Sequence, residues 1–216
     1  MSGASDRWRR AAHGIYVVLD AGVTADLAAL LEEMLAAGIR VIQYRAKSGV
    51  DGTLAARLAA RTQETGGCFL VNDDLATALA IPEAGLHVGQ EDLAMHDAAA
   101  LRAVLAGRVL GVSCGTAAEA RAAEALGADY VGVGPVAATA TKRDAGAAIG
   151  EAGVRAVASA VAIPSVAIGG IECSTIPLVV RAGAAMAAVV RAVARDPQPR
   201  RAAERLVAAW SAASGA

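Results

Sequence analysis

Residues 109–133 read VLGVSCGTAAEARAAEALGADYVGV. Val109–Val112 is a short apolar run with strand character, and Ala117–Leu126 carries alanine, leucine, glutamate and arginine at helical spacing. Tyr130–Val133 is apolar again. Gly127 follows the helical stretch, where a left-handed residue ends a helix without a side-chain clash. A strand, a helix and a second strand in so short a span form the repeating unit of a parallel sheet.

The alternation continues outward in both directions. Strand-like runs recur at Ile15–Leu19, Ile39–Tyr44, Cys68–Val71, Gly85–Val88, Ser165–Ile168 and Ala187–Val190, which brings the total to eight. Helical stretches lie between them at Asp26–Ala37, Leu54–Glu64, Asp74–Ala80, Ala98–Ala106, Glu151–Ala160, Thr175–Arg181 and Gln198–Trp210. Gly38, Gly66, Gly67 and Gly183 again follow helical stretches, and Asp196 with Pro197 suits the start of the last helix. Continuously apolar strands separated by helices indicate a parallel sheet covered on its outside. Eight of them without a long insertion predict an α/β fold, a single closed (β/α)8 TIM barrel; a doubly wound open sheet is the alternative. The expected organisation is one domain over residues 1–216, with residues 1–14 as a short N-terminal helical extension. Arg7, Arg9 and Arg10 read as the solvated end of that helix.

Composition narrows the function. The 216 residues suit one domain. The chain is 56% hydrophobic with a mean hydropathy of +0.46, much of it supplied by alanine. Its longest uncharged stretch, Ala156–Ile171, contains Pro164, Gly169 and Gly170 and is too short and broken to cross a bilayer as a helix. The run Ile15–Leu19, ended by Asp20, is too short for a signal-peptide core. Twenty basic residues against 21 acidic ones give no global reason to bind nucleic acid, so any anion site must be local. Cys68, Cys114 and Cys173 are odd in number and widely spaced. They fit neither a disulfide framework nor a zinc knuckle and suggest a cytoplasmic home. The Ala-rich helix faces do not distinguish a homo-oligomer from a monomer.

In a barrel the loops that follow the strands build the active site, and polar residues collect there in this chain. Gln43, Arg45 and Lys47 alternate at the end of the second strand, so a continuing strand points all three the same way. Arg45 offers an anion a fork of donors and Lys47 a point charge. Asn72, Asp73 and Asp74 follow the third strand, Gln90, Glu91 and Asp92 the fourth, and Ser113 ends the fifth. Asp73 and Asp92 come from neighbouring strands, and converging carboxylates repel unless a proton or a cation lies between them. Mg²⁺ suits such a pair, because it takes one or two carboxylates together with substrate phosphate oxygens. The simpler reading makes Asp73 or Asp74, and Asp92, helix caps. Thr139, Thr141 and Lys142 lie in a Gly/Ala-rich loop whose backbone can approach an oxyanion. Gly169, Gly170 and the rim after the eighth strand stand where barrels often hold a phosphate.

Other motifs are absent. No Gly-x-x-x-x-Gly-Lys-Ser/Thr occurs, and no Gly-x-Gly-x-x-Gly follows the first strand, so nucleotide hydrolysis and dinucleotide-dependent redox chemistry lose their main support. His87 reads as a satisfied interior histidine, and His13 and His96 as surface or cap residues. Ser113 lacks a nucleophile elbow and reads as a hydrogen-bond donor to substrate. Nothing beside Cys114 would lower its pKa.

Taken in order, the rim residues resemble the thiamine phosphate synthase family. The pieces are Gln-Tyr-Arg-Ala-Lys at 43–47, Val-Asn-Asp at 71–73, Gly-Leu-His-Val-Gly-Gln-Glu-Asp-Leu at 85–93 and Gly-Val-Ser at 111–113. They continue with Ala-Asp-Tyr-Val-Gly-Val-Gly-Pro-Val at 128–136, Thr-Ala-Thr-Lys at 139–142 and Pro-Ser-Val-Ala-Ile-Gly-Gly-Ile at 164–171. The likeness runs from Tyr16 to about Pro197. It implies a transferase that joins 4-amino-2-methyl-5-hydroxymethylpyrimidine diphosphate to a thiazole phosphate, giving thiamine phosphate and pyrophosphate by a dissociative path. On the family pattern Gln43, Arg45, Lys47, Asn72, Ser113 and Lys142 hold the pyrimidine diphosphate, with Arg45, Lys47, Ser113 and Lys142 as catalytic residues. Asp73 and Asp92 hold Mg²⁺. Thr139, Thr141 and Gly170, with the backbone around Val190 and Arg191, hold the thiazole phosphate. The implied partners are these small molecules, with neither nucleic acid nor membrane.

Three departures stand out. Tyr44 replaces a frequent leucine, Arg191 a usual serine, and Gly115 a histidine. Gly115 weighs against the related thiazole tautomerases, which are expected to use that histidine. The remaining alternatives are a tautomerase-like isomerase and a non-catalytic phosphate-ligand binder whose pocket Arg191 has remodelled.

Overall fold

Eight parallel strands close on themselves in chain order: β1 (Gly14–Asp20), β2 (Val41–Arg45), β3 (Cys68–Asn72), β4 (Gly85–Val88), β5 (Leu110–Cys114), β6 (Tyr130–Val133), β7 (Ser165–Ile168) and β8 (Met186–Val189). The computed structural model describes residues 3–138 and 146–215. β1 pairs with β2 through Tyr16 and Val41 and with β8 through Tyr16 and Ala188, so the sheet is a closed TIM barrel and the open-sheet alternative is excluded. Both faces of the strands are buried, which is why they read as unbroken apolar runs rather than alternating ones.

The helices around the barrel are α2 (Leu27–Ala36), α3 (Gly52–Glu64), α4 (Leu75–Ala80), α6 (Ala98–Val104), α7 (Ala117–Ala125), α8 (Gly150–Ala158), α9 (Ile176–Arg181) and α11 (Pro199–Ser214). Aspartates start four of them. Asp26, Asp51, Asp74 and Asp97 accept hydrogen bonds from the amides of Ala29, Leu54, Thr77 and Ala100 at 2.7–3.0 Å, each satisfying an amide that lacks a helical partner. Thr116 and Glu119 form a reciprocal capping box on α7. Two further helices, α5 (Gln90–Ala94) and α10 (Arg191–Ala194), follow β4 and β8 directly. They are too short for a helical period to show in the sequence.

The core has two shells. Alternate residues of the strands, such as Ile15, Val17 and Leu19, face the helices. Val18, Val41, Cys68, Leu70, Val109 and Met186 belong to a separate interior cluster with Tyr16 and Tyr130. α1 (Ala4–Ala11) lies at the end of the barrel where the strands begin, and its buried Trp8 stacks on Tyr130 with ring centroids 4.6 Å apart. Tyr130 fits because its register neighbour is Gly111, where a Cβ would lie 2.1 Å from the ring. Arg7 corrects a sequence expectation. It is buried and ion-paired with Glu83 in the loop before β4, and only Arg9 and Arg10 are exposed.

Candidate active site

The interior is polar toward the ends of the strands. Tyr16 donates its hydroxyl proton to Gln43 Oε1 at 3.2 Å, Gln43 Nε2 donates to Asn72 Oδ1 at 2.7 Å, and Asn72 donates to the Asp73 carboxylate. The Tyr16 hydroxyl also lies 3.0 Å from that of Tyr130. On the other side, His87 Nδ1 lies 2.8 Å from the Tyr130 hydroxyl and Nε2 lies 2.9 Å from Ser113 Oγ. Gln90 donates to the Ser113 carbonyl at 2.6 Å. Among the described residues no buried side-chain nitrogen or oxygen lacks a partner. His87 is thus the satisfied interior histidine that the sequence suggests.

Above this floor opens a cavity of about 830 Å³, large enough for two small substrates. Gln43, Arg45 and Lys47 line it from β2 and its loop, so their alternation does aim them together. Asn72 and Asp73 line it after β3, Asp92 from α5, and Ser113 from β5. Gly170, Val190 and Arg191 line it after β7 and β8. Thr139, Thr141 and Lys142 lie outside the described residues, although Gly134, Pro135 and Ala138 bring the same loop to the cavity wall. Gly170 has φ of +66°, and a Cβ there would come within 2.7 Å of Ala137, so the loops after β6 and β7 close against each other only over glycine.

Asp73 and Asp92 behave differently from the capping aspartates. Asp74, not Asp73, caps α4, and Asp97, not Asp92, caps α6. Asp73 has φ of +62°, the left-handed region that an aspartate tolerates better than most residues. Its carboxyl is within hydrogen-bonding reach of that of Asp92. Withdrawal from water first, and the neighbouring carboxylate second, raise the Asp73 pKa above the usual carboxylate value, while Arg45 and Asn72 pull it down. Among the described residues no three His, Cys, Asp or Glu side chains gather as a metal-binding group. The donor set is therefore two carboxylates at an open mouth. It fits an ion such as Mg²⁺ that completes its shell with phosphate and water oxygens.

One cavity-lining side chain that pairs with Arg45 escapes the sequence reading. Asp20, buried at the end of β1, accepts from the Arg45 guanidinium and from the Gly22 amide at 2.8 Å. Tyr16, Val18 and Asp20 alternate along β1 exactly as an inward-facing set does, and Asp20 is the register partner of Arg45. The alternation is visible in the sequence, whereas the pairing with β2 is not.

A family model described as thiamine monophosphate synthase matches residues 15–193. The chain belongs to the thiamine monophosphate synthase family. It is 42% identical over 184 residues to the thiamine-phosphate synthase of Chloroflexus aurantiacus, covering 83% of this chain and 84% of that protein. It is 41% identical over 196 residues to a bifunctional thiamine biosynthesis protein of Symbiobacterium thermophilum, covering 89% of this chain but only 40% of that longer protein. The solved thiamine phosphate pyrophosphorylase of Pyrococcus furiosus superposes with a TM-score of 0.84 at 30% identity, covering 95% of this chain and 98% of that one. The rim of this thiamine monophosphate synthase barrel is strongly basic after β8. Exposed Arg191 and Arg195 join Asp20, Arg45 and Lys47 around an adjoining recess of about 320 Å³.

Proposed function

We propose that the cavity binds a pyrimidine diphosphate and a thiazole phosphate together and transfers the pyrimidine methylene from diphosphate to the thiazole nitrogen. The chain is a transferase of thiamine biosynthesis and forms thiamine phosphate. The observation that carries the detailed reading is the meeting of opposite charges at one mouth. Asp73 and Asp92 stand together while Arg45 lines the same cavity.

Arg45 and Lys47, with Lys142 from the loop after β6, hold the diphosphate. Arg45 does so from a fixed position, because Asp20 anchors one side of its guanidinium. Gln43, Asn72 and Ser113 hold the pyrimidine end from the strand ends below. Asp73 and Asp92 hold Mg²⁺, which when bound supplies positive charge to the departing diphosphate oxygens. As the carbon–oxygen bond breaks, its electron pair leaves with pyrophosphate, and the fixed cations stabilise that growing charge without reorganising. Thr139, Thr141 and Gly170, with the backbone at Val190 and Arg191, hold the thiazole phosphate so that the ring nitrogen attacks the pyrimidine methylene cation and closes the new carbon–nitrogen bond. Proximity of the two substrates is itself a large part of such a rate. No side chain has to act as a general base. The three free cysteines support a cytoplasmic setting for this chemistry.

The test is release of pyrophosphate from the two substrates with and without Mg²⁺. Wild type releases it only with the ion and both substrates. Asp92→Ala loses turnover by orders of magnitude with the fold intact, and Arg191→Ser changes the KM for the thiazole phosphate rather than for the pyrimidine. Undiminished release by Asp92→Ala at limiting Mg²⁺ overturns the metal assignment.

A further inference from the structure

The side chains from Asp73 to Ser113 form one continuous chain of hydrogen bonds, and its direction can be deduced from one end. Asn72 donates from Nδ2 to a carboxyl oxygen of Asp73 and turns Oδ1 toward Gln43. Gln43 must then donate from Nε2 to Asn72 and present Oε1 to Tyr16. Tyr16 has a single hydroxyl proton, and Gln43 Oε1 takes it. In the 3.0 Å contact between the two phenols, Tyr130 is therefore the donor. With its own proton committed, the Tyr130 oxygen can only accept from His87, so Nδ1 carries a proton. Burial holds both phenols well above the ordinary tyrosine pKa, so each keeps the one proton this counting needs. A neutral imidazole protonated at Nδ1 leaves Nε2 as an acceptor. The Ser113 hydroxyl faces that nitrogen at 2.9 Å.

We propose that His87 and Tyr130 are positioning residues that turn the Ser113 hydroxyl proton toward His87 Nε2, which accepts it as a hydrogen bond, so that Ser113 Oγ presents only lone pairs to the substrate. This rests on the substrate assignment above and deepens it. The ligand group that Ser113 selects is an N–H donor, such as an amino group on the pyrimidine ring, and the donor role that the sequence suggests for Ser113 is reversed. Tyr130 touches no substrate. It acts two hydrogen bonds away, through His87, and Gly111 is what gives its ring room.

The imidazole can be read directly. The chain has three histidines, and the double variant His13→Gln/His96→Gln leaves His87 alone. With ¹⁵N-labelled histidine and no substrate present, long-range ¹H–¹⁵N correlation at neutral pH should show a neutral ring protonated at Nδ1. A ring protonated at Nε2, or at both nitrogens, overturns the proposal. In Tyr130→Phe the ring loses its Nδ1 acceptor and should move to the Nε2-protonated form. The KM for the pyrimidine diphosphate should rise about five- to thirtyfold, the scale of one or two hydrogen bonds, while the KM for the thiazole phosphate stays put. An unmoved ring and an unmoved KM overturn it. His87→Gln places an amide oxygen where Nε2 stood and should recover most of the pyrimidine affinity that His87→Leu loses; equal losses would reduce His87 to packing. Because the ring state is read without turnover, it can fail while pyrophosphate release stands, and the reverse.

Discussion

Replacing Asp92 by asparagine should make the metal-free protein more stable while removing its activity. Two unit charges about 4 Å apart repel by ~1 kcal/mol in water and ~4 kcal/mol at the polarity typical of a protein surface. Asp73 lies at an open mouth, so the lower half of that range applies, about 1–2 kcal/mol. For a chain of this size each kcal/mol moves the melting temperature by roughly 2–4 °C, which predicts a rise of about 2–8 °C for Asp92→Asn in chelator at neutral pH. The effect has a defined pH dependence. Because burial and Asp92 raise the Asp73 pKa, the folded protein keeps that proton longer than the unfolded chain does. The resulting stability is complete below the ordinary carboxylate pKa and is lost as pH climbs through the raised value. The gap between variant and wild type should therefore open on going from pH 4 to 7, in the manner that linkage requires. Adding Mg²⁺ with pyrophosphate should stabilise wild type by mass action and leave Asp92→Asn unmoved. Calorimetry or a thermal melt followed by circular dichroism reads both effects. A variant that melts below wild type in chelator, or that still responds fully to Mg²⁺ and pyrophosphate, refutes the shared-ion geometry.

Gly111→Ala puts a methyl 2.1 Å from the Tyr130 ring; it should cost about 1–3 kcal/mol by denaturant unfolding and disturb the hydroxyl that faces His87. Trp8→Ala empties the end of the barrel and should cost about 3–5 kcal/mol, seen in the same unfolding assay. Cys68 and Cys114 are buried and their thiols are pushed up to about 12, whereas Cys173 is exposed. A maleimide at neutral pH should label one thiol per native chain by mass spectrometry, because the thiolate is the reactive form.

The fold was legible because strands buried on both faces leave contiguous apolar runs, and glycine and aspartate mark the helix ends between them. Tyr130–Val133 and Ser165–Ile168 are strands with the bounds the sequence suggests, while β2 starts two residues later than Ile39. α5 and α10 were illegible since a helix of about one turn has no period. The rim was legible as a set of polar residues after strands. Their partners were not. The Asp20 pairing with Arg45, the burial of Arg7 against Glu83 and the run from Tyr16 through Tyr130 to His87 all join residues far apart in the chain. A single sequence carries no register with which to find them. Gly111 likewise reads as an unremarkable strand glycine until the ring it accommodates is seen.

The pairing of β1 with β8 brings Gly14 opposite Met186, and this seam has a consequence for biosynthesis. A nascent chain that has not yet delivered Met186 leaves the first strand with a bare hydrogen-bonding edge, a template for unwanted pairing. Trp8, made well before Met186, has no complete cylinder to seal until that late arrival, and contacts so distant along the chain form slowly. Ribosome stalling or truncation ahead of the eighth strand should therefore yield a sticky, open sheet, which a holdase chaperone would retain.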